Sequence, residues 1–337
     1  MRKLASVQKI IEILPIEGAD RIELVKVNNW QVVVTKEANH KVGDLVVYCE
    51  IDSFLPIRPE FEFLRKSSFK RMGDQEGFRL KTIRMKQKIS QGLVISLNDI
   101  ELENKKFLQE GDEVTEQLGI VKYEPPIPAE LAGKVKGLFP SFIYKTDESR
   151  IQNLTKEYNQ WFNSDIKFYI AEKLDGSSST FYFKDGVFGV CSRNLELLET
   201  EENTFWKVAR QLDLENKLSS LGKNISIQGE LIGEGVQGNP YGIKGHTVKF
   251  FNAFDIDLSE YLSLNDFISL MDKLELEAVP MLDMDFKLPS SIDDLLKMAD
   301  GFSVLNSGTI REGLVIRSHD RTISFKAISN NFLINEK

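Results

Sequence analysis

The chain has 337 residues, 42% of them hydrophobic and 28% charged, and carries a net charge of −8 at pH 7. That length allows two domains with separate cores, and no apolar run approaches the ~20 residues that span a bilayer. Met1-Arg2-Lys3-Leu4 leads into mixed sequence without a signal-peptide core, and Cys49 and Cys191 stand far apart, outside any Cys-x-x-Cys pair. Both read as reduced thiols of a cytoplasmic protein. The isolated His40, His246 and His319 suggest no zinc site.

Residues 1–122 read as all-β. Arg21–Val27 and Gln31–Val34 are strands about the turn Asn28-Asn29, and Leu45–Cys49 follows the turn Lys41-Val42-Gly43-Asp44. Phe78–Met85 alternates in polarity, Gly92–Ile95 is a further strand, and Glu110-Gly111-Asp112 turns the chain before Val114. Short strands punctuated this way predict a small barrel. A net acidic chain is a poor polyanion binder overall. Even so, Arg65, Lys66, Lys70, Arg71, Arg79, Lys81, Arg84, Lys86 and Lys88 gather against only Asp74 and Glu76. Such a patch directs a polyanion to one face; a solvated loop and strand face is the plain alternative.

Residues 123–138 hold Pro125, Pro126 and Pro128 with Gly133 and Gly137, which predicts a linker, and the second domain then runs 139–337. Asn153–Asn163, Thr204–Leu214, Leu264–Leu276 and Ser291–Met298 have helical spacing, with strands between them. Phe168-Tyr169-Ile170 reads as a buried strand, Asp175-Gly176 as the turn that ends it, and Phe181-Tyr182-Phe183 as the returning strand. Lys173 then stands at a strand end, facing whatever pocket the sheet forms. A lysine there becomes a nucleophile when its ammonium loses a proton; read alone, it is equally an ordinary rim lysine. On an alternating strand Phe250, Asn252, Phe254 and Ile256 share one face, and Phe251, Ala253 and Asp255 the other. Gly233, Gly235 and Gly238 are followed by Asn239-Pro240-Tyr241-Gly242 and not by a helix, so no dinucleotide loop is predicted, only a flexible loop near the site.

Taken in order, the motifs are Glu172-Lys173-Leu174-Asp175-Gly176, Ser192-Arg193-Asn194, Gln228-Gly229-Glu230-Leu231, Phe250–Ile256, Arg311-Glu312-Gly313-Leu314-Val315-Ile316-Arg317 and Ser324-Phe325-Lys326. This series resembles the nucleotidyltransferase motifs of the covalent ligase and mRNA-capping superfamily. Within it, the chain resembles ATP-dependent RNA ligases that carry an N-terminal OB domain and seal 3′-hydroxyl to 5′-phosphate ends. Gly18–Glu23 and Ile89–Leu93 also resemble OB-type tRNA-binding modules, which supports the OB fold. DNA ligases and capping enzymes carry their OB domain after the last motif, where this sequence has only Ala327–Lys337.

The resemblance implies an α+β chain, an OB-type β-barrel followed by a nucleotidyltransferase domain of ATP-grasp-like antiparallel sheets with helices. It implies Lys173 as the nucleophile on ATP. Asp175, Glu230 and Glu312 would hold a divalent cation, Mg or Mn, through its waters. Phe254 would stack on adenine, Glu172 meet its edge, Glu230 also accept the ribose hydroxyl, and Arg193 contact the ribose or the RNA end. Lys326 would contact the α-phosphate, and Arg150 and Lys145 the β- and γ-phosphates. The partner implied is RNA with 3′-hydroxyl and 5′-phosphate ends, as a nicked duplex, bound by a monomer away from membranes. Relatives often have Lys-x-Lys where this chain has Ser324-Phe325-Lys326. That departure, with the basic patch, motivates the rival reading: an inactive nucleic-acid-binding adaptor.

Overall fold

The computed structural model describes residues 3–86, 88–124 and 134–335. The chain divides near Ile127 into two compact units. Pro125, Pro126, Pro128 and Gly133 of the expected linker lie outside the described residues.

The first unit contains β1 (Ala5–Pro15), β2 (Ile22–Val27), β3 (Trp30–Thr35), β4 (Leu45–Cys49), β5 (Ser53–Pro56), the helical turn α1 (Arg65–Ser68), β6 (Phe69–Met72), β7 (Gln75–Arg79), β8 (Thr82–Met85), β9 (Lys88–Gln91), β10 (Leu93–Ser96) and β11 (Val121–Lys122). They form sheets of order β10-β4-β1-β2-β3 and β11-β5-β7-β6, plus the β8-β9 hairpin. β1 pairs first with β4, from Ala5↔Cys49 to Lys9↔Leu45, and then with β2, from Ile10↔Val27 to Pro15↔Glu23. A bulge between Ile10 and Glu12, just inside the β2 pairing, bends the strand, so one strand serves both halves of a small barrel. Val7, Val47, Leu55, Phe61 and Phe78 fill its interior, fully buried. The alternating stretch Phe78–Met85 is two strands. The chain leaves the sheet at Leu80, whose amide donates to the Ser53 carbonyl while its carbonyl accepts from Asp52.

The second unit contains β12 (Val135–Leu138), β13 (Ser149–Arg150), α2 (Thr155–Phe162), β14 (Phe168–Lys173), β15 (Ser177–Lys184), β16 (Val187–Cys191), β17 (Leu195–Leu197), α3 (Thr204–Gln211), α4 (Leu214–Ser219), β18 (Ile225–Gly233), β19 (His246–Asp255), β20 (Glu260–Tyr261), α5 (Leu264–Lys273), β21 (Met281–Phe286), α6 (Ile292–Ala299), β22 (Gly313–Ser318), β23 (Ser324–Ile328) and α7 (Asn330–Asn335). β12 lies in the stretch read as linker, yet it pairs with β17, because its only proline neighbour in the described chain, Pro140, falls beyond its end. The helix expected over Thr204–Leu214 breaks at Asp213, whose φ of 54° is left-handed and starts α4. Asn203, Ser263 and Ser291 cap α3, α5 and α6 through side-chain oxygens.

Two sheets result, of order β12-β17-β16-β15-β18-β19-β20 and β13-β23-β22-β14-β21. One face of the first is covered by α3, α4 and α5, where Trp206, Leu218, Phe267 and Met271 meet Phe181, Ile227 and Phe250. One face of the second is covered by α2 and α6, where Tyr158, Leu295 and Ala299 meet Phe168, Ile170, Ile316 and Phe325. With helices on one face of each sheet, the other faces are left to carry the polar groups. No helix among the described residues is long and apolar enough to cross a membrane.

Candidate active site

Strand register assembles a cationic face on the second sheet. Lys173 pairs with Gly313, and Gly313 with Ile328. One row along, Ala171, Val315, Lys326 and Arg150 lie side by side across β14, β22, β23 and β13. The next row holds Tyr169, Arg317 and Ser324. Phe168, Ile170, Phe325 and Ala327 alternate to the helix side. Gly313 is required here, since a Cβ on it would come within 2.3 Å of the Ala327 carbonyl oxygen.

Lys173 keeps 25% of its side chain exposed, and its Nζ lies 2.7 and 2.8 Å from the two carboxylate oxygens of Glu312. Burial alone would lower its proton affinity, but Glu312 and Glu230 outweigh burial and hold the ammonium above its ordinary range. Glu230 comes from β18 of the first sheet and pairs with Ser178. Burial pushes its carboxyl up to about 8; Lys173 opposes the rise, while Glu312 and Asp175 add to it. Gly176 makes this approach possible, since a Cβ there would lie 2.9 Å from Glu230 Cγ and 2.5 Å from the Leu231 carbonyl. Lys326 is pushed down to about 7 by burial and by the Arg150 and Lys173 charges, against a weaker pull from Asp147 and Glu148.

Among the described residues no three acidic, histidine or cysteine side chains converge as a closed metal site. The expected trio of Asp175, Glu230 and Glu312 is therefore not a ready-made coordination shell, since Glu312 directs both oxygens at Lys173. The donor chemistry still fits a hydrated hard cation. These are carboxylates close enough together to raise Glu230, and a cation relieves that repulsion.

Two residues implied by the resemblance sit differently. Glu172 pairs with Leu314 on the helix side of β14, opposite Lys173, and its Oε2 accepts the Val304 amide at 2.8 Å. That oxygen braces a loop, while Oε1 is buried without a hydrogen-bond partner among the described residues. Phe254 is 1% exposed, packed against Ile143, Tyr182, Cys191 and Ile256 with Tyr144 and Tyr261 edge-on, and offers no open face to a base. The simple alternation fails because β19 carries a bulge. Gln228 pairs with Asn252 but Gly229 with Phe250, so Phe251 is the extra residue. Phe250 and Phe254 thus fall on opposite faces. Phe251, only partly buried, joins Ala171, Leu174 and Val279 beside the nucleophile strand, with the Arg317 guanidinium 5.6 Å from its ring centre.

Arg150 lies buried beside Lys326. Lys145 instead donates to Asn194 Oδ1 at 3.1 Å and lies over the Phe139 ring. Arg193 meets Asp147 at 3.4 Å, and the same Asp147 oxygen lies 3.7 Å from Lys326. Sequence reasoning missed Glu148, whose carboxylate takes Arg317 Nη2 at 2.8 Å and is held down to about 2; burial resists, and the Arg317 and Lys326 charges prevail. It also missed Arg321, which donates to Tyr169 at 2.7 Å and to Asn252, joining the two sheets. Neither residue belongs to a recognisable motif; only the β22–β23 register reveals Arg317 opposite Ser324.

An OB-fold domain model matches residues 4–97, and an RNA ligase family model matches residues 166–329. Curated proteins offer no match. Among solved structures, the chain is similar to Naegleria gruberi RNA ligase. An apo mutant of that protein is 42% identical over 98% of this chain and 97% of that one, with a TM-score of 0.90. A mutant with ATP and Mn is 42% identical over 98% of each chain, with a TM-score of 0.89. The same ligase with PPi is 42% identical over 99% of this chain and 98% of that one, also at 0.89. The chain belongs to the ATP-dependent RNA ligases. The barrel of the first unit is the OB domain of this family, and the two-sheet unit is its nucleotidyltransferase domain. With Lys173, Glu230, Glu312 and Lys326 brought together, the reading as an inactive adaptor is not favoured.

Proposed function

We propose that this RNA ligase joins a 3′-hydroxyl to a 5′-phosphate in nicked duplex RNA, as a monomer, through Lys173–AMP and RNA-adenylate intermediates. The observation that carries this is the placement of Lys173 Nζ against Glu312, one strand row from Lys326 and Arg150. That spacing suits an amine reaching the α-phosphorus while two cations hold phosphate oxygens. In the first step the Lys173 ammonium gives up one proton to water, its Nζ lone pair bonds to the α-phosphorus as the bond to pyrophosphate breaks, and a second proton leaves to give a phosphoramidate that keeps one N–H. Lys326 and Arg150 stabilise charge on the phosphates as the leaving group departs. Next, a 5′-phosphate oxygen displaces lysine from AMP. Finally the RNA 3′-hydroxyl attacks that phosphate and AMP leaves.

The Naegleria ligase structures with ATP and Mn, and with AMP and Mn, support ATP and a divalent cation as the cofactors. Held through its waters by Glu230, Glu312 and Asp175, such a cation would offset phosphate charge and loosen the carboxylates' hold on the Lys173 proton. The partial burial of Phe251 beside the nucleophile strand supports it, in place of Phe254, as the aromatic that covers the base. Arg193 is poised for the ribose or the RNA end, and the basic stretch of the OB domain for the RNA backbone.

The test is incubation with α-labelled ATP and manganese, followed by denaturing gels and by sealing of a nicked RNA duplex. The protein should become labelled, the label should move to the RNA 5′-end, and Lys173→Ala should abolish both. A wild-type protein that seals RNA without ever carrying label would overturn the covalent route.

A further inference from the structure

Two loops grip the residues on either side of Lys173. The first follows β18. In it Tyr241, 6% exposed, packs its ring with Ala171, Leu174, Ile232 and Val279. Its phenolic oxygen accepts the Asp175 amide at 2.6 Å. Gln237 Nε2 donates to the Gly176 carbonyl at 3.3 Å. One N–H and one C=O of the Asp175-Gly176 turn are thus both held by this loop. Its course depends on left-handed residues, with positive φ at Gly235, Gln237, Gly238, Asn239, Gly242 and Gly245. Asn239 then closes the loop on itself, exchanging hydrogen bonds with Ile243 at 2.9 and 3.1 Å.

The second loop, residues 300–311, holds Glu172 through the Val304 amide and runs straight into Glu312. The two loops are latched together. The Pro240 carbonyl accepts from Asn306 Nδ2 at 2.9 Å and from Thr309 Oγ1 at 2.6 Å. A ring of contacts therefore runs from Asp175 through Tyr241, Pro240 and Thr309 to Val304 and Glu172, with Lys173 between its ends.

We propose that Tyr241, backed by the latch on Pro240, is a positioning residue that fixes the Asp175 backbone, and with it the Asp175 carboxylate, beside Glu230. A turn at a strand end is free to rock unless its amides are held. Here the holding acceptor sits on a ring already locked by packing, so its position is well defined. The glycine-rich sequence, read as a flexible loop near the site, is what lets the chain bring Tyr241 back over the turn. This inference rests on the lysyl-AMP reading of the site.

Tyr241→Phe tests it, because phenylalanine keeps the ring packing and removes only the acceptor. In protein free of nucleotide and metal, amide exchange across residues 171–178 should quicken at least fivefold. With Mn²⁺ and a non-hydrolysable α,β-methylene ATP, the half-saturating Mn²⁺ concentration, read from the free-ion resonance, should rise five- to tenfold. Adenylylation at saturating Mn²⁺ should fall by less than that. Thr309→Val, which weakens only the latch, should move exchange and Mn²⁺ affinity the same way by a smaller factor. Wild-type exchange and wild-type Mn²⁺ affinity in Tyr241→Phe would overturn the proposal; should that variant fail to fold, the same two results in Thr309→Val would do so. If the wild type binds nucleotide and Mn²⁺ but never labels Lys173, the covalent route falls, while the clamp is still judged by exchange and binding.

Discussion

Lys173 and Lys326 sit one strand row apart on the same sheet, yet their proton affinities move in opposite directions. Burial penalises the charge on both. The difference is the distance and availability of carboxylate. Lys173 has both oxygens of Glu312 within 2.8 Å. Lys326 has Asp147 at 3.7 Å, shared with Arg193, and Glu148, which Arg317 already takes at 2.8 Å. The resting site is therefore charged the wrong way round for the first step. The nucleophile holds its proton, and the lysine meant for phosphate is close to half neutral at pH 7. A site built this way stays unreactive until a triphosphate draws a proton to Lys326 and the carboxylates around Lys173 are neutralised.

The largest effect should come from breaking the tight pair. Glu312→Gln removes the charge that raises Lys173. Adenylylation, measured in a single turnover, should fall roughly a hundredfold, the scale of losing one preorganised charged contact. The sign of the pH effect is separate. Lys173 is held above its ordinary value, so the rate tied to its free amine climbs with pH across the working range. Without Glu312 that climb should begin at lower pH. If Glu312→Gln instead adenylylated faster than wild type at pH 7.5, Glu312 would be only a proton lock, and its part in holding the cation would fall.

Lys326 offers a finer measure of the same contrast. Its value of about 7 lies below that of an unfolded lysine, so between pH 7 and roughly 10.4 the folded protein carries fewer protons than the unfolded chain. Its contribution to stability therefore rises with pH through that window. Pyrophosphate should reverse the depression, because its charge favours the ammonium. Calorimetry in buffers of different ionisation enthalpy should show uptake of up to about one proton per pyrophosphate bound at pH 8, and little at pH 6, where Lys326 is already mostly charged. Lys326→Arg should remove the uptake and lower adenylylation about tenfold. Uptake that survives in the arginine variant would place the titrating group elsewhere.

Which parts of this were legible beforehand follows from what each part depends on. Lys173, Glu230, Glu312 and Lys326 were legible because each stands at a fixed offset within a short motif on one strand. Their near neighbours were not. Phe254 was the base-facing aromatic by resemblance, and alternation along Phe250–Ile256 put Phe250 on its face; the bulge at Phe251 separates the two. Nothing in that run signals a bulge, which is set by how β18 and β19 match in length. Glu172 came from the resemblance alone, and its contact with the Val304 amide, 132 positions away, could not be read from the sequence. Glu148 and Arg317 come together across 169 positions, which no local pattern encodes. The barrel was readable from its turns. The break at Leu80 was not, because it depends on hydrogen bonds to Asp52 and Ser53 from another strand.

The same contrast between committed and available cations divides the basic stretch of the OB domain, and there it should give the smallest effect. Arg65 is committed to Glu62 through two hydrogen bonds of 2.7 and 2.8 Å, and Arg71 to Glu76 at 2.8 Å. Arg79 lies over the Tyr123 ring at 4.5 Å. On the β8–β9 hairpin, by contrast, Arg84, Lys86 and Lys88 are exposed, and no ion pair to them occurs among the described residues. A cation already neutralised by a carboxylate releases few counterions when it meets a phosphate; an available one releases nearly a full count. Replacing Arg84, Lys86 and Lys88 with alanine should therefore reduce the slope of log affinity for nicked RNA against log salt by about 2 to 3, at roughly 0.9 per phosphate contact. Sealing at limiting RNA should weaken several-fold, while self-adenylylation stays at the wild-type rate. Replacing Arg65 and Arg71 should change the slope by less than about 1. Equal slopes for the two variants would mean that ion pairing within the domain does not decide which cations reach the RNA, and the contrast would then hold only inside the nucleotidyltransferase site.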